Sequence, residues 1–130
     1  MKRSFLAAAL VLAACTPPSP QSAAPACAAP LKPALQVDLY FGEVGPTQWA
    51  AFLDEEVTPR FPDGLSVIDV QGQYRNRQGT IGRERSRLLT VVVFDAPSHL
   101  AKVQAIVDSY KRRHHQESVL RVEQPVCVSL

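Results

Sequence analysis

The sequence predicts a single α+β domain built in the order β-α-β-β-α-β. Three observations carry that prediction. Apolar residues alternate along separate segments, as half-buried strands require; two other segments carry apolar residues at helical spacing; and proline and glycine mark the joins between them.

The first strand covers residues 35–41, where Leu35, Val37, Leu39 and Phe41 alternate with polar positions. Residues 42–45 form a loop, and Pro46 suits the first turn of a helix, where its missing N–H leaves no bond unmade. Trp49, Phe52, Leu53 and Val57 give this helix a buried stripe, and Pro59 ends it near Thr58. Residues 61–64, Phe-Pro-Asp-Gly, form a turn in which proline presets φ and glycine permits positive φ. The second strand takes residues 65–75, a polar glycine-containing turn 76–82, and the third strand 84–95, with the β-rich stretch 88–94 at its centre. Asp95-Ala96-Pro97 starts a second helix, with Leu100, Val103, Ile106, Val107 and Tyr110 as its buried stripe. The last strand covers residues 118–126, and Pro125 within it marks an edge position. This succession is the split βαβ, or ferredoxin-like, pattern: a four-stranded antiparallel sheet in the order 4-1-3-2 with two helices on one face.

A leader and a tether precede the domain. Lys2 and Arg3 form a positive n-region, and the apolar stretch 4–14 is far shorter than the roughly 20 residues that span a bilayer. It ends in Leu12-Ala13-Ala14-Cys15, which resembles the lipobox of bacterial lipoproteins at all four positions. The resemblance implies a signal peptide over 1–14, a palmitate-type acyl anchor on Cys15 and a membrane partner reached through that lipid. An ordinary secretory leader with an incidental cysteine and an uncleaved anchor are the alternatives. Thr16, in place of an aspartate, points by analogy to the outer membrane, with the domain facing the periplasm. Residues 15–33 form the lipidated cysteine and a Pro/Ala-rich tether. Six of residues 16–33 are proline, so this segment is extended at about 3.1 Å per residue. The folded domain is 34–130. With Cys15 acylated, Cys27 and Cys127 are the remaining thiols in an oxidising compartment. The topology brings the end of strand four beside the start of strand one, so the two cysteines are expected to form a disulfide.

Several stretches are shared with a known family: Leu39-Tyr40-Phe41-Gly42; Trp49 with Phe52 and Leu53; Val57-Thr58-Pro59-Arg60-Phe61-Pro62-Asp63-Gly64; Gln71-Gly72-Gln73-Tyr74-Arg75; Arg83-Glu84-Arg85-Ser86; and Gln116-Glu117-Ser118-Val119-Leu120. Together they resemble a bacterial family classified only as a domain of unknown function, often carrying a lipoprotein leader. The resemblance implies no activity, substrate or cofactor.

Charge and motifs exclude several classes. Of 14 Lys and Arg residues, Lys2 and Arg3 belong to the leader, which leaves twelve against twelve Asp and Glu. A neutral domain lacks the overall basic character of nucleic-acid binders, so no nucleic-acid partner is expected. No nucleophile motif, zinc signature, Cys-x-x-Cys or phosphate loop is present, and no cofactor or metal is expected. His114 and His115 follow Lys111-Arg112-Arg113 and read as a cationic helix end facing the negative end of the dipole.

Two surfaces remain as candidates. Arg75, Arg77, Arg83, Arg85 and Arg87 cluster at the central hairpin, opposed there by Glu84, and suit an anionic envelope component; a solvated hairpin end is the plain alternative. The second is the sheet face that the helices leave open. Pairing Arg75 with Glu84 places Gln73 opposite Ser86, Gln71 opposite Leu88 and Asp69 opposite Thr90, all pointing away from the helices, while Ile68, Val70, Leu89, Val91 and Val93 point inward. Asp38, Tyr40, Arg121 and Glu123 join the outer face. Tyr40, Asp69, Gln73, Arg75 and Glu84 are then the centre of a candidate binding face. The leading reading is a non-enzymatic envelope lipoprotein that binds a ligand or partner there, a homodimer being one form. The rivals are a small hydrolase or isomerase using Asp69 and Glu84 as acid and base near Arg75, and a structural component of the envelope.

Overall fold

The computed structural model describes residues 26–94 and 96–130; the leader, Cys15 and most of the tether lie outside them. Four strands form one antiparallel sheet: β1 (Lys32–Gly42), β2 (Ser66–Arg75), β3 (Ile81–Val93) and β4 (Leu120–Val128), in the order β2-β3-β1-β4. Helix α1 (Pro46–Phe52) runs into a π-helical turn, Leu53–Val57, and α2 (Ala96–His114) connects β3 to β4. This is the expected ferredoxin-like fold, with Pro125 on an edge strand.

The core lies between the sheet and the helices. β1 contributes Val37, Leu39 and Phe41, and β3 contributes Leu89, Val91 and Val93; the pairs Val37–Val91 and Leu39–Leu89 sit directly opposite one another. Four rings fill one end: Phe41 lies 4.5 Å from Tyr110 and 5.6 Å from Phe52, and Trp49 lies 5.5 Å from Phe41. Burying rings of this size contributes about 1.5–3 kcal/mol each. The Tyr110 hydroxyl donates to the Gly42 carbonyl, so the core's one phenol keeps its bond to the backbone.

Cap chemistry sets the helix ends. Arg60 folds back onto Glu56, donating to its carbonyl at 2.6 Å and its carboxylate at 2.9 Å, and so bonds a carbonyl of the π-helical turn Leu53–Val57 itself. At the end of α2, His115 takes φ +52°, the left-handed position that usually needs glycine, and the Gln116 amide closes onto Lys111 O at 3.2 Å.

Three expectations are corrected. The stripe of α2 is rotated: Leu100 is 51% exposed, and His99, 3% exposed, takes its place in the row His99, Val103, Ile106, Tyr110. A spacing of four, three and four residues fits a helix face as well as the apolar choice did, and His99 bonds Glu123 Oε1 through Nε2 at 3.2 Å while its Nδ1 is buried without a partner among the described residues. β1 starts at Lys32, so the last two residues assigned to the tether belong to the sheet. They pair with Val128 and Cys127, past the end of β3, where β1 has one neighbour and Pro33 is tolerated. The third correction is the β2–β3 register. The hairpin loop is 76–80, not 76–82. Asn76 closes it, its Oδ1 accepting from the amides of Gln78 and Thr80 at 3.0 and 2.9 Å, and Gly79 supplies φ +81°. Arg75 therefore pairs with Ile81 and Asp69 with Arg87, a shift of three residues.

Cys27 and Cys127 are joined, with Cα atoms 5.6 Å apart and a separation of 100 positions in sequence. The bond ties the chain ahead of β1 to the end of β4. Chain entropy for a closure of this length puts its contribution at up to about 4.7 kcal/mol. Cys127→Ser is expected to lower the denaturant midpoint accordingly, and alkylation should find no free thiol at either position before reduction. Two alkylated cysteines in the unreduced protein would contradict the pairing.

Candidate functional site

An odd shift in register exchanges the faces of a strand. With Leu89 held in the core and paired with Val67, the odd-numbered residues of β2 face the same side as the odd-numbered residues of β3. Asp69, Gln71, Gln73 and Arg75 thus lie on the helix side of the sheet. Ile68 and Val70 lie on the open face.

The open face is consequently apolar at its centre. One row crosses all four strands: Ile68, Leu88, Tyr40 and Leu120, in the order β2, β3, β1, β4. Ile68 is 54% exposed and Leu120 60%, while Leu88 and Tyr40 are half-buried. The next row reads Ser66, Thr90, Asp38 and Val122, and Val92 continues the patch along β3. Asp38 is buried within it. Its carboxylate accepts from Thr90 Oγ1 at 2.7 Å and from Gln36 Nε2 at 3.0 and 3.1 Å. The charge is thereby satisfied by its neighbours, as a buried carboxylate must be.

The five residues expected at the centre of a single face are divided. Tyr40 and Glu84 are on the open face, Tyr40 in the apolar row and Glu84 further out, opposite Gly72. Asp69 is on the helix side with its Oδ1 3.5 Å from Arg87 Nε, Gln73 faces Arg83, and Arg75 donates to Gly79 O at 3.4 Å. The acid and base proposed for the enzyme reading, Asp69 and Glu84, are thus on opposite faces and do not converge. Arg121 and Glu123 also lie on the helix side, where they pair with each other and Glu123 meets His99. Burial raises the Glu123 pKa, but hydrogen bonds from Arg121 and His99 outweigh it and hold the carboxyl below its usual value.

Of the arginine cluster, Arg87 is the most enclosed. It lies 5.1 Å from the Trp49 ring and donates to Val44 O at 3.0 Å. Arg85 is 3.5 Å from Glu43, and Arg77 is 3.4 Å from Glu117, both pairs exposed. The last turn of α2 carries Lys111, Arg112 and Arg113, the cationic end expected there, but His114 turns inward. His114 packs 4.6 Å from Tyr110 and 6.1 Å from Phe52, and its Nε2 is buried with no hydrogen-bond partner among the described residues. Burial first, then the neighbouring Arg113 and His115, lower its pKa. Tyr110 is pushed up to about 12, chiefly by burial. Among the described residues no three His, Cys, Asp or Glu side chains are grouped to hold a metal ion, and no helix is long and apolar enough to cross a membrane.

Residues 36–130 match the profile of a protein family of unknown function, DUF3574. The chain belongs to that family. A search of the curated proteins finds no match. Among solved structures, this DUF3574 domain is similar to a phage SAM lyase in complex with S-methyl-5'-thioadenosine, at 15% identity and TM-score 0.58, over 75% of this chain and 90% of that one. It is also similar to CutA1 from Oryza sativa, at 12% identity and TM-score 0.56 over 77% and 85%, and to CutA from Synechococcus elongatus, at 13% and 0.52 over 75% and 80%. At these identities the likeness is one of fold.

The His114 environment makes a pH prediction. A depressed native pKa means the unfolded chain binds more protons as pH falls through the ordinary histidine value near 6.5. That part of the stability is present above this value and lost below it. His114→Leu is expected to flatten the dependence of the denaturant midpoint on pH between about pH 7 and pH 5. Equal slopes for variant and wild type would contradict it.

Proposed function

We propose that this protein is an envelope lipoprotein, anchored through Cys15 at the outer membrane and facing the periplasm, whose domain is a non-enzymatic partner-binding module. Its working surface is the open sheet face, and the partner is a second copy of the same chain. The observation that carries this reading is the row Ile68, Leu88, Tyr40 and Leu120 across the uncovered face. Single exposed apolar residues are ordinary, but a contiguous apolar field with a polar rim marks an association surface. Burial of each large aliphatic side chain there stabilises a complex by about 1.5–3 kcal/mol before the cost of association. A face that is its own partner needs no charge complementarity across the two-fold axis, and the central row carries no formal charge.

The lipobox supports the anchor. Radiolabelled palmitate is expected to enter the wild-type protein and not Cys15→Ser; equal labelling would remove the lipoprotein reading.

Sedimentation of the detergent-solubilised protein tests the face. The wild type is expected to sediment as a dimer. Ile68→Asp combined with Leu120→Asp is expected to give a monomer whose melting transition is nearly unchanged, because exposed substitutions cost within about 0.5 kcal/mol. A wild type that stays monomeric at all concentrations, or a double variant that still dimerises, would overturn the association.

A further inference from the structure

The β2–β3 hairpin outruns the rest of the sheet. β1 ends at Gly42, opposite Ser86, so the five pairs from Gln71–Arg85 to Arg75–Ile81 form a ribbon without a third strand. On its helix-side surface two Gln–Arg pairs follow one another directly: Gln71 beside Arg85, and Gln73 beside Arg83. Together with Gly72 and Glu84, whose single carboxylate is outnumbered by the two guanidinium groups, they line a shallow concavity of about 360 Å³. Arg83 has no carboxylate within 4 Å among the described residues, and the carboxylate near Arg85 belongs to Glu43, 3.5 Å away in an exposed pair that a ligand can displace.

The chemistry of these four side chains is specific. A guanidinium presents a planar fork that takes a carboxylate by two parallel hydrogen bonds. A primary amide offers donors and an acceptor together, which suits hydroxyl and acetamido groups. Position narrows the ligand further. The chain enters the domain at the opposite end, where Pro33 pairs with Cys127. Strand register places Ile81 fourteen residues along the sheet from the Pro33 level, about 46 Å at the rise of a strand. The concavity therefore lies at the pole away from the tether, and a polymer standing off the anchoring membrane is in its reach.

We propose that the helix-side surface of the β2–β3 ribbon binds an acidic glycan of the cell-wall type, Arg83 and Arg85 taking its carboxylates and Gln71 and Gln73 its hydroxyl and acetamido groups. The biological placing of this site rests on the envelope reading above; the binding itself does not.

The test is co-sedimentation of the full chain, solubilised in non-ionic detergent, with purified peptidoglycan sacculi, beside cellulose as a neutral glycan and phosphatidylcholine vesicles with and without phosphatidylglycerol. Wild type is expected to pellet with sacculi, weakly with cellulose, and less as salt rises. R83Q/R85Q is expected to lose binding about tenfold or more, with an unchanged melting transition. Arg112→Gln, on α2, should bind as wild type does. Should R83Q/R85Q fail to fold, Gln71→Ala with Gln73→Ala gives the same readout. Cys15→Ser should keep sacculus binding, so failure of lipidation and failure of this site are separate results. No binding to sacculi, full binding by R83Q/R85Q, or binding confined to phosphatidylglycerol vesicles would each overturn the proposal.

Discussion

Leu89, Val91 and Val93 are committed to the helix side of the sheet, and the pleat then leaves no freedom to the residues between them. β3 is central, so its choice propagates in both directions. Through β1 it sets Val37, Leu39 and Phe41 inward and Asp38 and Tyr40 outward; through β2 it sets Val67 inward and Ile68 outward. The apolar character of the open face is thus a consequence of how the core is filled. Two helices cover one face, and the alternation of β2 and β4 deposits Ile68, Leu120 and Val122 on the other.

The two ends of the domain are held by different chemistry. At the tether end the Cys27–Cys127 bond clips the incoming chain to β4. At the hairpin end the aromatic cluster of Phe41, Trp49, Phe52 and Tyr110 anchors the body, with Arg87 stacked on Trp49. Beyond that cluster the ribbon has no core of its own. A two-stranded hairpin is marginal in water by itself, so its exposed glutamines and arginines are free to serve recognition and add little to packing. Apolar association on one face and polar recognition at one pole can therefore coexist in about a hundred residues.

Much of this was legible in the sequence. Alternation in β1, helical spacing of Trp49, Phe52 and Val57, and the prolines at 46 and 59 were enough for element order and topology, and topology was enough for the disulfide. Register was not legible, because it depends on the length of the hairpin loop. Asn76 closing onto Thr80 leaves a five-residue loop, whereas pairing Arg75 with Glu84 looked equally good by charge. Opposite charges across a hairpin contribute only about 0.2–1 kcal/mol, too little to choose a register against a loop closed by the Asn76 side chain and Gly79. The same preference for polar residues outward misplaced Arg121 and Glu123. The missing signal was His99, whose place on the buried stripe of α2 brings Glu123 inward and leaves Leu120 and Val122 outside.

The central claim is that register, and with it the apolar open face. Methyl-labelled protein measured by nuclear Overhauser spectroscopy addresses it directly. Contacts between the methyl groups of Ile68 and Leu88, and of Val67 and Leu89, are the expected result. Close contacts from Ile68 to Leu89 or Val91, with none to Leu88, would place Ile68 under the helices and contradict the account.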